Sequence, residues 1–190
     1  MGKLVITTNA SLDGIVQDPD GKEGFRRGGW FGRFGGKDLE AWAAWETEEA
    51  LRAEALLLGR HSDEWFAARW SERTGAWADR LNSLPKYVVS STLKEAKWRN
   101  ATVLTGDVLA QVSKLKQEVR GDILVYASGP LVRSLIEHGL ADELRMVVFP
   151  VVLGEGERLF GQTQQEKPLR LLHARTLGEG LAFLTYAFTR

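Results

Sequence analysis

Three short segments place small, hydroxylated or cationic residues directly after apolar runs. Gly59-Arg60-His61-Ser62 follows Leu56-Leu57-Leu58, Ser90-Ser91-Thr92 follows Tyr87-Val88-Val89, and Ala127-Ser128-Gly129-Pro130 follows Leu124-Val125-Tyr126. An apolar run that breaks into glycine, serine or proline reads as a strand leaving a sheet. Where a helix follows such a corner, its first backbone N–H groups lack partners and its positive dipole end faces outward, which suits phosphate. Arg60 adds a permanent charge that can bind a phosphate through two hydrogen bonds. Each segment alone is an ordinary turn. Together they suit a ligand with several phosphates, such as a dinucleotide.

Several other chemistries lack their residues. The chain has no cysteine, which excludes disulfides, thiol nucleophiles and Cys-ligated metals. His61, His138 and His173 stand far apart and no His-Glu-x-x-His occurs, so no metal site is expected. There is no Gly-x-Gly-x-x-Gly after the first strand, no Walker-type loop and no Gly-x-Ser-x-Gly elbow. Lys plus Arg and Asp plus Glu both total 25, for a net charge of +0. That balance lacks the basic excess that nucleic acid or an anionic membrane surface would attract. The opening MGKLVITTNASLDG is too polar for a signal peptide, and no apolar run approaches the roughly 20 residues of a membrane span. A cytoplasmic protein is expected.

The elements that must position the corners alternate. Strands are expected at Leu4–Thr8, Ala55–Leu58, Tyr87–Ser90, Val103–Leu104, Ile123–Tyr126 and Leu144–Val152. Helices are expected at Lys37–Arg52, from about Ser62, at Val108–Val119 and at Leu131–His138, while the polar stretch Gly75–Ser83 reads as helical or looped. Leu169–Thr176 and Leu181–Thr189 form a hairpin around Leu177-Gly178-Glu179-Gly180. The pattern predicts a single α/β domain over residues 1–190, three-layered, with a mostly parallel sheet and a C-terminal antiparallel hairpin. Gln17–Gly36, rich in Gly, Asp and Arg, is expected to be a long loop. Its Trp30, Phe31 and Phe34, with Trp42 and Trp45 beyond, suit either stacking on a flat heterocycle or ordinary packing.

The order of these pieces resembles the dihydrofolate-reductase-like proteins. The likeness is greatest to stand-alone relatives of the reductase domain of the bifunctional riboflavin-biosynthesis deaminase/reductase. It rests on Ser11-Leu12-Asp13-Gly14, Leu57–Ser62, Val88–Thr92, Val125–Leu131 and Phe149–Gly156, running on to Leu159-Phe160. The resemblance implies an NADPH-dependent reductase that transfers a hydride to a small heterocycle, a pteridine or an aminopyrimidine. The alternative is a member that binds a nucleotide or small ring compound without turnover. Gly59, Arg60, His61 and Ser62 would hold the pyrophosphate and the adenosine 2′-phosphate, with Ser90, Ser91 and Thr92 bordering the latter. Ala127, Ser128, Gly129 and Leu131 match the segment that approaches the pyrophosphate, where the family often has a cis peptide between two glycines. Here Ser128 replaces the first glycine.

Asn9 to Val16 would wall the nicotinamide, with Asp13-Gly14 as the hinge of a closing loop. Asp38 stands roughly where the family places a substrate carboxylate. In an apolar cleft its pKa would rise and it could relay a proton; otherwise it simply favours a helix N-terminus. The family's habit and the C-terminal edge strands together imply a homodimer.

Overall fold

Leu56, Leu57 and Leu58 follow one another without alternation, and all three are fully buried. A strand apolar on both faces belongs inside a parallel sheet covered on each side. In the computed structural model, which describes residues 1–189, this segment is β2 (Ala53–Gly59). It pairs in parallel with β3 (Lys86–Val89) and with β5 (Asp122–Tyr126), and β3 pairs in parallel with β4 (Ala101–Leu104). The chain returns through α3 (Arg60–Trp70) and α4 (Ala76–Ser83) between β2 and β3, and through α5 (Val108–Glu118) between β4 and β5. Helix α6 (Gly129–Glu137) follows β5. Adding β1 (Lys3–Ser11), β6 (Glu143–Phe149) and the antiparallel hairpin of β7 (Leu169–Leu177) and β8 (Leu181–Phe188), the strand order is β4-β3-β2-β5-β1-β6-β8-β7. The expected α/β class, a mostly parallel sheet ending in an antiparallel hairpin, is what the chain forms. Among the described residues no helix is long and apolar enough to cross a membrane.

By internal contacts the chain divides into two units, Met1–Ile6 with Glu46–Glu143, and Thr7–Trp45 with Leu144 onward. In the first unit Leu56, Leu58, Phe66, Leu81, Trp98 and Leu124 share one apolar cluster. Two of its helix ends are closed by local chemistry. Asp107 accepts the Ala110 N–H at the start of α5. Gly139, at φ 65, closes α6 as the Gly139 and Leu140 N–H groups return to Ile136 and Leu135.

Lys86 is enclosed in this unit. The Lys86 ammonium donates to the carbonyls of Asn82 (3.3 Å) and Leu84 (2.8 Å) and lies 4.6 Å from the centre of the Trp98 ring. Burial, and then the charge of Arg99, lower its pKa from 10.5 to about 8, against an opposing pull from Asp63. The unfolded chain keeps this proton up to about pH 10.5, whereas the native state releases it above about 8. Across that window the unfolded state binds more protons, so this group makes stability rise with pH. Urea unfolding between pH 8 and 10.5 should show the wild type gaining on Lys86→Met; a constant gap would refute the assignment.

In the second unit Ile15, Trp30, Trp45, Val147, Phe149 and Phe183 share a cluster. The stretch Gln17–Gly36, expected to be a loop, ends instead in α1 (Trp30–Gly35), and a 3-10 turn (Gly36–Asp38) leads into α2 (Leu39–Arg52). The aromatics explain the helix. The Trp30 ring is fully buried edge-on against Phe149 at 5.3 Å, its N–H donates to the Gln17 carbonyl, and Phe31 meets Trp42 at 4.7 Å. Burial of these rings outweighs the low helix propensity of the glycines between them.

What remains of the loop is organised by one carboxylate. Buried Asp18 accepts the backbone N–H groups of Lys22 (2.7 Å), Glu23 (3.0 Å) and Phe25 (3.0 Å). A Cβ at Gly28 would stand 2.4 Å from its Oδ2, so that position requires glycine. Strand β6 stops at Phe149, short of the expected Val152, because Pro150 has no N–H for the ladder.

Candidate active site

Two of the three expected corners are joined by one hydroxyl. At the first, β2 ends at Gly59 and α3 begins at Arg60, two residues before the expected start. No side chain caps this helix, so its first-turn N–H groups are not claimed by a capping group. Arg60 and His61 are exposed, with the guanidinium 3.5 Å from the imidazole Nε2 and His61 Nδ1 3.9 Å from Glu64. Ser62 points inward.

At the second corner, β5 leads into α6 through Ala127 and Ser128, which adopt φ 50 and φ 59. Two successive non-glycine residues in the left-handed region cost on the order of 1–3 kcal/mol each. Such outliers cluster at ligand sites, and a left-handed residue followed by a helix turns successive N–H groups into an anion-binding concavity. Ser128 is buried; its Oγ accepts the Gly59 N–H (2.9 Å), donates to the Tyr126 carbonyl (3.0 Å) and lies 2.8 Å from Ser62 Oγ. Among the described residues no cis peptide occurs, so the bond between Ser128 and Gly129 is trans. The helix starts at Gly129, with Pro130 in its first turn and Leu131 half-buried behind it.

The third corner follows β3. The register Gly59↔Val89 sets Ser90 beside Arg60 at the same sheet edge, and continuing the register Leu56↔Leu124 brings Gly59 level with Ala127. No helix follows here. The Ser90 hydroxyl accepts the N–H groups of Thr92 (3.2 Å) and Leu93 (3.0 Å), closing its own turn and leaving Ser91 and Thr92 exposed. Fully buried Asp63 holds the descending chain by accepting the N–H groups of Lys97 (2.7 Å) and Trp98 (3.1 Å).

In the second unit the outcome differs from expectation. Asp13 is a clamp and not a hinge. It accepts from the Leu153 and Gly154 N–H groups and from the Ser11 hydroxyl (2.7 Å), while Leu12 N–H donates to Val151 and Val16 N–H to Glu157. Partial burial pushes its pKa up, but the bonds from Leu153, Ser11 and Gly154 prevail and lower it to about 2. Asn9 accepts from the Trp42 indole at 2.9 Å and, like Val16, is half-buried.

Asp38 does not sit as a protonated relay. The Glu179 N–H (3.0 Å) and Gly180 N–H (2.8 Å) bind its two oxygens, and the Glu179 bond, foremost, lowers its pKa. It fastens the β7–β8 turn. The aromatics take the packing alternative, with Trp30 and Trp45 buried and Phe34 the one 40% exposed.

Helix α2 carries two carboxyls that its sequence does not advertise. Glu46 and Glu49 lie three residues apart and are both buried. The Tyr126 hydroxyl donates to Glu49 at 3.2 Å. Burial, and then the Glu49 charge, push the pKa of Glu46 well above the usual carboxylate range. The only trace in the sequence is that both fall on the same helix face as Ala50 and Trp42, where a solvated residue is not expected.

Known proteins bear on this arrangement. The uncharacterized protein YyaP of Bacillus subtilis strain 168 is 36% identical over 106 residues, and the match spans about half of each chain, 56% of this one and 56% of YyaP. The solved structure of a protein assigned to riboflavin biosynthesis from Shewanella sp. PV-4 superposes with a TM-score of 0.76 at 20% identity, over 99% of both chains. Dihydrofolate reductase from Enterococcus faecalis, solved with NADP(H) and RAB-propyl, superposes with a TM-score of 0.62 at 13% identity, over 99% of this chain and 97% of that one. These two share the fold. The family model of the RibD C-terminal domain matches residues 2–183, and the chain therefore belongs to the RibD C-terminal domain family.

Proposed function

We propose that the chain is an NADPH-dependent reductase of a small heterocyclic substrate, of the pteridine or aminopyrimidine type. The observation that carries this reading is the Ser128 hydroxyl, which ties the β2–α3 and β5–α6 corners into one cradle at the edge shared with Ser90. Its chemistry fits a phosphorylated dinucleotide: two uncapped helix starts, a strained pair of residues, the exposed Arg60 guanidinium and the exposed His61 imidazole. Gly59, Ser62, Ala127, Ser128 and Gly129 border the pyrophosphate, and Leu131 backs them from the first turn of α6. Arg60 and His61, with Ser90, Ser91 and Thr92, take the 2′-phosphate and so favour NADPH over NADH. When bound, NADPH supplies the hydride; the chain orients, excludes water and handles protons.

A second copy is the proposed partner. Strand β7 stands last in the sheet and is exposed along nearly its whole length, leaving its outer edge for another strand. With no cysteine and a neutral charge balance, the setting proposed is the cytoplasm.

The test is a titration followed by turnover. NADPH should quench the fluorescence of the seven tryptophans at micromolar concentration, and a panel of pteridines and pyrimidines should then drive NADPH oxidation. Quenching without oxidation would favour a binding protein. No signal at millimolar cofactor would end the proposal.

A further inference from the structure

Each phosphate of a pyrophosphate link carries a negative charge, and backbone N–H groups answer it with partial charges alone. With Arg60 and His61 turned to the 2′-phosphate, a full positive charge for the β5–α6 corner must come from α6 itself. A Cβ placed on Gly129 would stand 3.3 Å from Arg133 Nη1 and 3.9 Å from both Cζ and Nη2. The Arg133 side chain therefore runs back one turn, as helical side chains do, and its guanidinium lies over the first residue of α6. The start of a helix is its positive end, where a cation is disfavoured and an anion welcome. Arg133 is half-buried, yet among the described residues it has no hydrogen bond, ion pair or ring partner, and its nitrogens stay open to solvent. Gly129 points the same way. Its φ is not among the positive ones, so the backbone does not require glycine there; what the missing side chain supplies is room beside the guanidinium.

We propose that Arg133 binds the coenzyme pyrophosphate over the first turn of α6, beside the N–H groups that follow the left-handed Ala127–Ser128 pair. The inference rests on the reductase reading above and adds a division of charge to it. Arg133 meets the phosphates common to NADPH and NADH, and Arg60 meets the one that distinguishes them. A planar guanidinium donates two parallel hydrogen bonds to phosphate oxygens, so the cation and the helix start act on the same anion. The bound anion then offsets a charge that the protein alone leaves unpaired against the dipole.

Calorimetric titration of wild type and Arg133→Gln with NADPH and with NADH decides it, with no turnover required. Arg133→Gln should weaken both coenzymes in parallel by about 10- to 100-fold and leave their ratio unchanged, because hydrogen bonds to a charged group are lost. Arg133→Met keeps the apolar stem and removes only the charged head. It should reproduce the parallel loss with an unchanged urea midpoint, which a packing effect would not do. If the wild type binds the coenzymes and both variants stay within about threefold of it, the Arg133 assignment alone fails. A loss confined to NADPH would put Arg133 on the 2′-phosphate and overturn the pyrophosphate contact. If the wild type binds neither coenzyme at millimolar concentration, the reductase reading itself fails and this inference falls with it.

Discussion

Replacing Asp63 by Ala is expected to lower the unfolding free energy by about 3–5 kcal/mol, the largest single loss foreseen for this chain. Asp63 is fully enclosed and accepts the backbone N–H groups of Lys97 and Trp98. Its charge also opposes the forces that strip the proton from Lys86. Alanine would strand two N–H groups in the interior and leave an ammonium there without its counter-charge. The effect should spread, because Trp98 stacks on Phe66 at 5.4 Å with the rings nearly parallel and donates through its indole to Asn82. Urea denaturation at pH 7 measures it. A loss below about 1 kcal/mol would mean that apolar packing alone holds the Lys94–Trp98 segment.

Replacing Arg60 by Gln should reduce the preference for NADPH over NADH by about 10- to 100-fold, because a hydrogen bond to a charged group contributes about 1.5–3 kcal/mol. Stability should change by no more than about 0.5 kcal/mol, since the side chain is exposed and its one recorded polar neighbour is His61 at 3.5 Å. The two coenzymes differ only at the 2′-phosphate, so comparing their dissociation constants isolates that contact. An unchanged ratio would move the phosphate away from Arg60.

The fold could be read from the sequence because its periodicities are plain. The uninterrupted Leu56-Leu57-Leu58 run can only be a doubly covered strand, and the apolar spacing in α5 can only be a helix. The same reading missed α1, since five glycines from 28 to 36 dilute the helical signal that Trp30, Phe31 and Phe34 supply. It grouped Ser90-Ser91-Thr92 with the two phosphate-binding corners; nothing local shows that Ser90 satisfies its own turn instead. Asp38 and Glu46 show the deeper limit. Both are carboxylates on or beside the same helix, and composition ranks Asp38 first for its place at the helix start. What separates them is long-range: the Glu179–Gly180 turn, 141 residues away, claims one, while the core encloses the other.

The bond from the Gly59 N–H to the Ser128 hydroxyl has a consequence for engineering. Because residues 69 apart in the chain share it, neither corner can be redesigned as an independent module. Altering the backbone at one corner would detune the other, so under the proposed NADPH reading a change of coenzyme is to be sought at the outward-facing Arg60 and His61, leaving the shared hydroxyl beneath them alone.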